Sequence, residues 1–414
     1  MKFAKLSLVA AVAVAGFTTA NAQPLEQAIK DVDVSGSVVY RYNDYQDDKA
    51  VSGVASSSGQ KYDRSNNNYK IGLNVSSKVN DDVKFNSRFL VASDKGDFAT
   101  DYGAGANTGL DTSSSGDVNP STSLSQANFA YTGLKNTTVT VGKQGLATPY
   151  TTAVMIDENE QTGTGILALS AIGPVTLGAA YFDQTNLQNT KDSALSGVFD
   201  GTENISAVAA IATFAPVTID TWYLDVQDKF DTYTVGAKSD LTLGGVALGA
   251  DARWASLTPK ASLAKALGKD DANTIEKIAL TAKAGIVNGK LAYAATSKDG
   301  GITGLDSDAV TVLKGWNINT LEKTDADYYK LMLGVDILAN LTLSANYGDL
   351  KSIDGIGSKT NIEEEELYGQ LTYKMSKNLT TYVRYGTYTK DYSPVKASDT
   401  IDATAGRLQV AYTF

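Results

Sequence analysis

The sequence predicts an all-β protein, a transmembrane antiparallel up-and-down barrel of about eighteen strands, with sixteen as the smaller solution. Three observations carry that prediction. Segments of roughly 8 to 13 residues alternate apolar and polar side chains along the chain. The joins between them are alternately short and long, and no proline falls inside a segment.

The first segment is the clearest. In VSGSVVYRY, Val34, Gly36, Val38, Tyr40 and Tyr42 share one face, opposite Ser35, Ser37, Val39 and Arg41. Successive side chains point to opposite faces of a strand, so such a segment has one apolar and one polar side. YKIGLNVSS (69–77), VKFNSRFLVA (83–92), TVTVGKQ (138–144), VTLGAAYFD (175–183), DTYTVGAKS (231–239) and VALGADARWASL (246–257) follow. Later come YYKLMLGVDIL (328–338), LTLSANYG (341–348), LYGQLTYKM (367–375) and LTTYVRYGTY (379–388). RLQVAYTF (407–414) closes the chain, with Leu408, Val410, Tyr412 and Phe414 on one phase. A soluble sheet turns its apolar face to a core. A membrane barrel turns it to lipid and the polar face to a water-filled lumen.

The joins decide between them. VNDD (79–82), GLKN (133–136), IGP (172–174), AP (215–216), DLTLGG (240–245), NG (288–289), AN (339–340) and SKN (376–378) are all short. The intervening joins run over about 46–68, 94–123, 145–164, 184–204, 258–273, 297–324, 351–362 and 390–402, with one tight QDK exception at 227–229. Short periplasmic turns alternating with long external loops mark an outer-membrane barrel, and a soluble sandwich or β-helix predicts no such alternation. Of the seven prolines, Pro24 precedes the first strand and six fall in joins. Proline cannot donate to a ladder, so a closed sheet excludes it.

Residues 1–22 read as a secretory signal: Lys2 and Lys5 make a basic start, Leu6 to Phe17 an apolar run, and Ala20-Asn21-Ala22 a cleavage site before Gln23. Removing Lys2 and Lys5 leaves 34 basic residues against 46 acidic ones, a formal charge of −12 on residues 23–414. That balance argues against nucleic-acid binding, which needs a basic footprint. Cysteine and histidine are both absent. Disulfides, thiolate and imidazole metal sites and the common Ser-His-Asp or Cys-His nucleophiles are therefore excluded, and the reading is of a protein that is not an enzyme. No run of about 18 apolar residues follows residue 22, so no transmembrane helix is expected.

Parity places Arg41, Arg88, Arg253, Arg384 and Arg407 on the polar phase of their strands, with Lys70, Lys238, Lys283, Lys330 and Lys374; Arg64 falls in the first loop. Lumen placement is the default for any strand charge, since a lipid-facing one costs roughly 2–4 kcal/mol at the midplane. Arg41, Lys70, Arg88, Arg253, Arg384 and Arg407 are the expected basic pore lining. Arg407, Arg41 and Arg384 lie on adjoining strands and could form one patch. The third external loop, 145–164, concentrates Asp157, Glu158 and Glu160 after an apolar AVMI run. Hard cations take carboxylate oxygens, and an apolar run in an external loop suggests packing against the inner wall. An exposed acidic loop is the plainer alternative. The acidic run IEEEE (362–366) reads as a solvated face at an external mouth, and PLEQAIKD (24–31) as a plug or a lead-in.

The start QPLEQAIKDVDVSGSVVYRY with its signal MKFAKLSLVAAVAVAG, the segment VGKQGL (141–146), the Asp157 region, the GTG at 163–165 and the closing RLQVAYTF resemble the major outer membrane protein porins of Campylobacter and its relatives. The resemblance implies an eighteen-stranded homotrimeric porin with a constriction-loop aspartate, here Asp157, in a calcium site. Two extra residues in the ENEQT stretch separate Asp157 from GTG. The family's other calcium ligands come from later external loops, where Asp192 and Asp306 are the nearest residues. The terminal Phe414 resembles the signal read by barrel-assembly machinery. The expectation is a general-diffusion porin embedded in outer-membrane lipid, passing ions and small hydrophilic solutes with a preference for cations. Its rival is a substrate-selective channel or a surface adhesin that uses the long external loops.

Overall fold

The computed structural model describes residues 32–47, 64–92, 121–156, 160–189, 194–267, 271–355, 358–394 and 400–414. The signal segment and PLEQAIKD lie outside them. The described chain forms one antiparallel sheet of eighteen strands closed on itself. In order these are β1 (Val32–Asp47), β2 (Arg64–Lys78), β3 (Val83–Ala92), β4 (Ser121–Leu134), β5 (Thr137–Gly145) and β6 (Thr162–Ile172). Next come β7 (Val175–Thr185), β8 (Ile205–Phe214), β9 (Val217–Val226), β10 (Phe230–Leu243), β11 (Val246–Pro259) and β12 (Asn273–Ala284). The last are β13 (Val287–Thr296), β14 (Thr324–Leu338), β15 (Leu341–Ile353), β16 (Asn361–Lys374), β17 (Leu379–Ser393) and β18 (Ile401–Thr413). A short helix, α1 (Ala261–Leu267), sits in the join after β11.

Every strand pairs with its neighbours in sequence, and β18 returns to β1 with Gln409 opposite Arg41. The closure extends to the last residue: Gly36 N donates to Phe414 O at 2.9 Å and Phe414 N to Gly36 O at 3.0 Å. Gly36 is required there, because a Cβ would sit 2.4 Å from the Gly72 carbonyl oxygen and 2.8 Å from the Phe414 ring.

Short and long joins alternate, but several boundaries differ from the sequence reading: β10 runs on to Leu243, so the join expected over 240–245 is only Gly244–Gly245. The join between β12 and β13 is Gly285–Ile286, not Asn288–Gly289. Gly285 takes φ 58°, as the first position of a two-residue hairpin turn requires. Asn288 and Gly289 instead pair with Lys283 and Ala282 on one side and with Gly334 and Leu333 on the other. Two ladders gain from the earlier turn, which outweighs the local preference of Asn-Gly. Arg64, expected in the first loop, opens β2 opposite Tyr45. Pro259 ends β11 as its terminal residue.

Alternation fixes the two faces. On β14 the outward Leu331, Leu333, Val335 and Ile337 are exposed, and β9, β12, β15, β16 and β17 present a similar apolar surface. Exposed aromatic residues flank this band: Tyr181, Tyr223, Tyr233 and Tyr329 toward the long loops, and Phe214, Tyr373, Tyr412 and Phe414 at the short turns. An apolar band between aromatic girdles is the outer surface of a membrane barrel. The buried core lies inside the cylinder, in its long-loop half. Leu146, Tyr150, Phe182, Leu187, Leu224, Phe230, Leu263 and Leu305 pack there from strands and loops alike.

Leu333, 57% exposed, tests this facing. Leu333→Arg should lose roughly 2–4 kcal/mol in urea unfolding from lipid vesicles. Met332→Arg, on the opposite phase, should lose much less.

Candidate functional site

Two long loops enter the barrel and engage different parts of its inner wall. The third (146–161) reaches β2, β3 and β4 through Glu160. Arg88 donates from Nε to Glu160 Oε2 at 2.8 Å and from Nη2 to Oε1 at 2.6 Å, the bidentate geometry that suits a carboxylate. Lys70 Nζ lies 3.1 Å from Oε1, and Ser125 Oγ donates to Oε2 at 3.1 Å. Lys70 also donates to the Met155 carbonyl at 2.6 Å. Lys70, Arg88 and Glu160 are all buried. Burial alone would raise the Glu160 carboxyl, but Lys70 and Arg88 overcome it and hold the group below the ordinary glutamate value of 4.5.

The seventh loop (297–323) crosses to the other side. Glu366 of β16 accepts from the backbone N–H groups of Trp316 at 2.9 and 3.1 Å and of Asn317 at 2.7 Å. Lys330 Nζ donates to Lys314 O at 2.7 Å, and Lys277 Nζ to Val312 O at 3.2 Å. The loops also meet each other: Leu305 N donates to Tyr150 O at 2.7 Å, Thr311 N to Pro149 O at 3.0 Å, and Gln161 Nε2 to Leu305 O at 2.7 Å.

Trp316, at the tip of the seventh loop, meets Arg384 of β17 and Arg407 of β18, whose Cζ atoms lie 5.0 and 5.8 Å from its ring centroid. Arg384 also covers Tyr368 at 4.8 Å and Tyr382 at 5.2 Å. Arg384 Nε donates to Gln370 Oε1, Arg407 Nε to Asn43 Oδ1 and Arg41 Nε to Gln409 Oε1, at 2.8, 2.6 and 2.8 Å. Arg384, Arg407 and Arg41 thus occupy adjacent strands, while Lys70 and Arg88 are drawn to Glu160. Arg253 lies elsewhere, bidentate to Asp220 at 2.8 and 2.7 Å.

The acidic residues are divided. Asp157, Glu158 and Asp192 lie outside the described residues. Asp306 is buried in the seventh loop, its Oδ1 accepting from Asp308 N at 2.8 Å. Among the described residues, no group of three acidic side chains converges as a metal site. Both Glu160 oxygens are given to the wall cations Lys70 and Arg88.

Sequence reasoning missed the seventh loop and the IEEEE run. That run lies within β16, so its residues alternate: Glu364 and Glu366 are buried, while Glu363 and Glu365 face outward. Glu364 accepts from Tyr388 at 2.7 Å and pairs with Lys323. Parity applied to the run would have found this. The seventh loop carried the signal that marked the third, apolar residues in an external join: Ile302, Leu305, Val312, Leu313 and Ile318.

A family model described as Campylobacter major outer membrane protein matches residues 1–414. The chain belongs to that family. Its fold recurs in Acinetobacter baumannii OccAB1, at 15% identity and a TM-score of 0.72 over 95% of this chain and 98% of that one. Pseudomonas aeruginosa OccK5 (OpdH) matches at 18% identity and 0.69 over 93% and 98%. Pseudomonas aeruginosa OpdK, solved with vanillate, matches at 14% and 0.70 over 93% and 99%. No curated protein matches. This family member is an outer-membrane β-barrel porin.

Glu160→Ala would leave Lys70 and Arg88 buried without their counter-charge, at a cost of about 3–5 kcal/mol. Thermal unfolding in detergent should read it. The native contribution of Glu160 should be complete above pH 4.5 and fall away as the pH drops below that through its lowered value. Glu366→Ala should free the Trp316 tip and raise trypsin cleavage in 297–323, with the remaining barrel uncut.

Proposed function

We propose that this protein is a general-diffusion porin that passes ions and small hydrophilic solutes through a water-filled lumen narrowed by the third external loop. The observation that carries the reading is the bidentate Glu160–Arg88 pair with Lys70, which ties that loop to the inside of the wall. Barrels of about 16–18 strands leave an aqueous channel unless something fills it. Selectivity then follows from the charges lining the narrowest part. Arg384, Arg407 and Arg41 supply positive charge on one side, while Asp157 and Glu158, with the acidic chain as a whole, favour cations. Signal removal after Ala22, outer-membrane lipid around the apolar band and assembly as a homotrimer complete the proposal.

A substrate-selective channel is the second reading, and Trp316 favours it. Its ring, with those of Tyr368 and Tyr382, surrounds Arg384 and gives the wall a shaped cationic corner. Such a corner suits small carboxylates, the chemistry of the vanillate and glucuronate present in two solved structures of similar fold.

Single-channel current across a KCl gradient in a planar bilayer tests both. Large steady conductance with a cation-side reversal potential supports general diffusion, and Asp157→Ala should then move the reversal potential toward anions. Silence, or small openings blocked by glucuronate but not by glucose, would replace it with the selective channel.

A further inference from the structure

Below the third loop the inner wall changes character. The cleft between β10, β11, β12 and β13 is lined by Asp240, Lys283, Asn288 and Lys290, as a wet lumen would have it. Across β6 to β9 the same phase is mostly apolar. Leu169, Phe182, Ile211 and Trp222 form one side of a cavity of about 600 Å³, and Val154 of the third loop and Leu305 of the seventh form the other. It extends from Pro174 in the short β6–β7 turn up to the underside of both loops. Its volume falls within the range of roughly 300–1,000 Å³ that small-molecule sites occupy.

The chemistry narrows the occupant. Apolar surface facing water is costly, and an apolar body seated there removes that cost. Among the described residues the single charged lining side chain is Asp308, already paired with Lys314. An ionised ligand would give up its hydration with no counter-charge in return. One polar group has no partner: Thr152 lines the cavity, is 9% exposed, and its Oγ1 makes no hydrogen bond. A buried hydroxyl of that kind is expected to be satisfied; its Oγ1 is closed off as the loop stands, and a turn about χ1 would bring it to a hydroxyl or carbonyl seated in the cavity.

We propose that this cavity is a binding subsite for an uncharged aromatic solute bearing a hydroxyl or carbonyl group, with its ring against Phe182 and Trp222 and its polar group on Thr152. The site goes beyond the passage of hydrophilic solutes. Its occupancy is an equilibrium property, so a pore that proved closed would leave it standing.

Equilibrium dialysis of 2-naphthol against the full chain in lipid nanodiscs tests it, with empty discs of the same lipid as reference. One saturable site per chain above that reference is expected. Ala209→Trp, which fills the cavity from β8, should weaken binding by about tenfold or more. Thr152→Val keeps the shape and removes the hydroxyl, and should weaken it by about two- to tenfold. Circular dichroism confirms that each variant is folded, and the Thr152 variant decides the matter should Ala209→Trp fail to fold. Retention no greater than in empty discs, or affinity unchanged in the folded variants, would overturn the proposal.

Discussion

A β-sheet in a membrane must leave no backbone donor or acceptor facing hydrocarbon, and this chain meets the requirement by pairing its last strand with its first. The paired hydrogen bonds between Gly36 and Phe414 are the final link of that ladder. With no edge remaining, outward side chains are free to be apolar, as Leu333, Val335 and Ile337 are. Inward side chains are free to be polar or to pack against loops. Closure also explains why Asn288–Gly289 yields to Gly285–Ile286 as the turn. Residues 287–290 are needed in two ladders, and continuity of the sheet outweighs local turn preference.

The same closure creates an interior that loops enter by meeting the charges on its wall. The third loop does so with a carboxylate held by two cations, and the seventh with backbone N–H groups held by a wall carboxylate. The two devices mirror each other: the loop supplies the anion in one and the wall supplies it in the other. Contacts from Tyr150 and Pro149 to Leu305 and Thr311 then join the loops, so a disturbance at Glu160 or Glu366 has a short physical route to the other anchor.

The wall is unequal around its circumference. Arginines collect on β17, β18 and β1, while β6 to β9 turn apolar residues inward. The inner wall thus presents two surfaces of opposite chemistry. Cation–π contacts hold the Arg384 guanidinium plane among Trp316, Tyr368 and Tyr382, which limits its motion compared with a lone arginine in water.

The barrel was legible in the sequence because strand parity, turn length and proline exclusion are local properties. Each follows from a few adjacent residues and from the demand that every ladder be complete. VSGSVVYRY and RLQVAYTF declare their two faces without knowing their partners, although not that Gln409 lies opposite Arg41. Parity also put Arg384 and Arg407 on the polar phase, but could not show a tryptophan from the seventh loop between them. Glu160 stood out as one of three acidic residues, and nothing local distinguished it from Asp157 as the one that meets Lys70 and Arg88. Sequence alone thus determined the closed sheet and its two faces. Tertiary structure decided which loops enter and which charges pair, because those contacts join residues 70 to 90 positions apart, as in Lys70–Glu160 and Arg88–Glu160, and 50 apart, as in Trp316–Glu366.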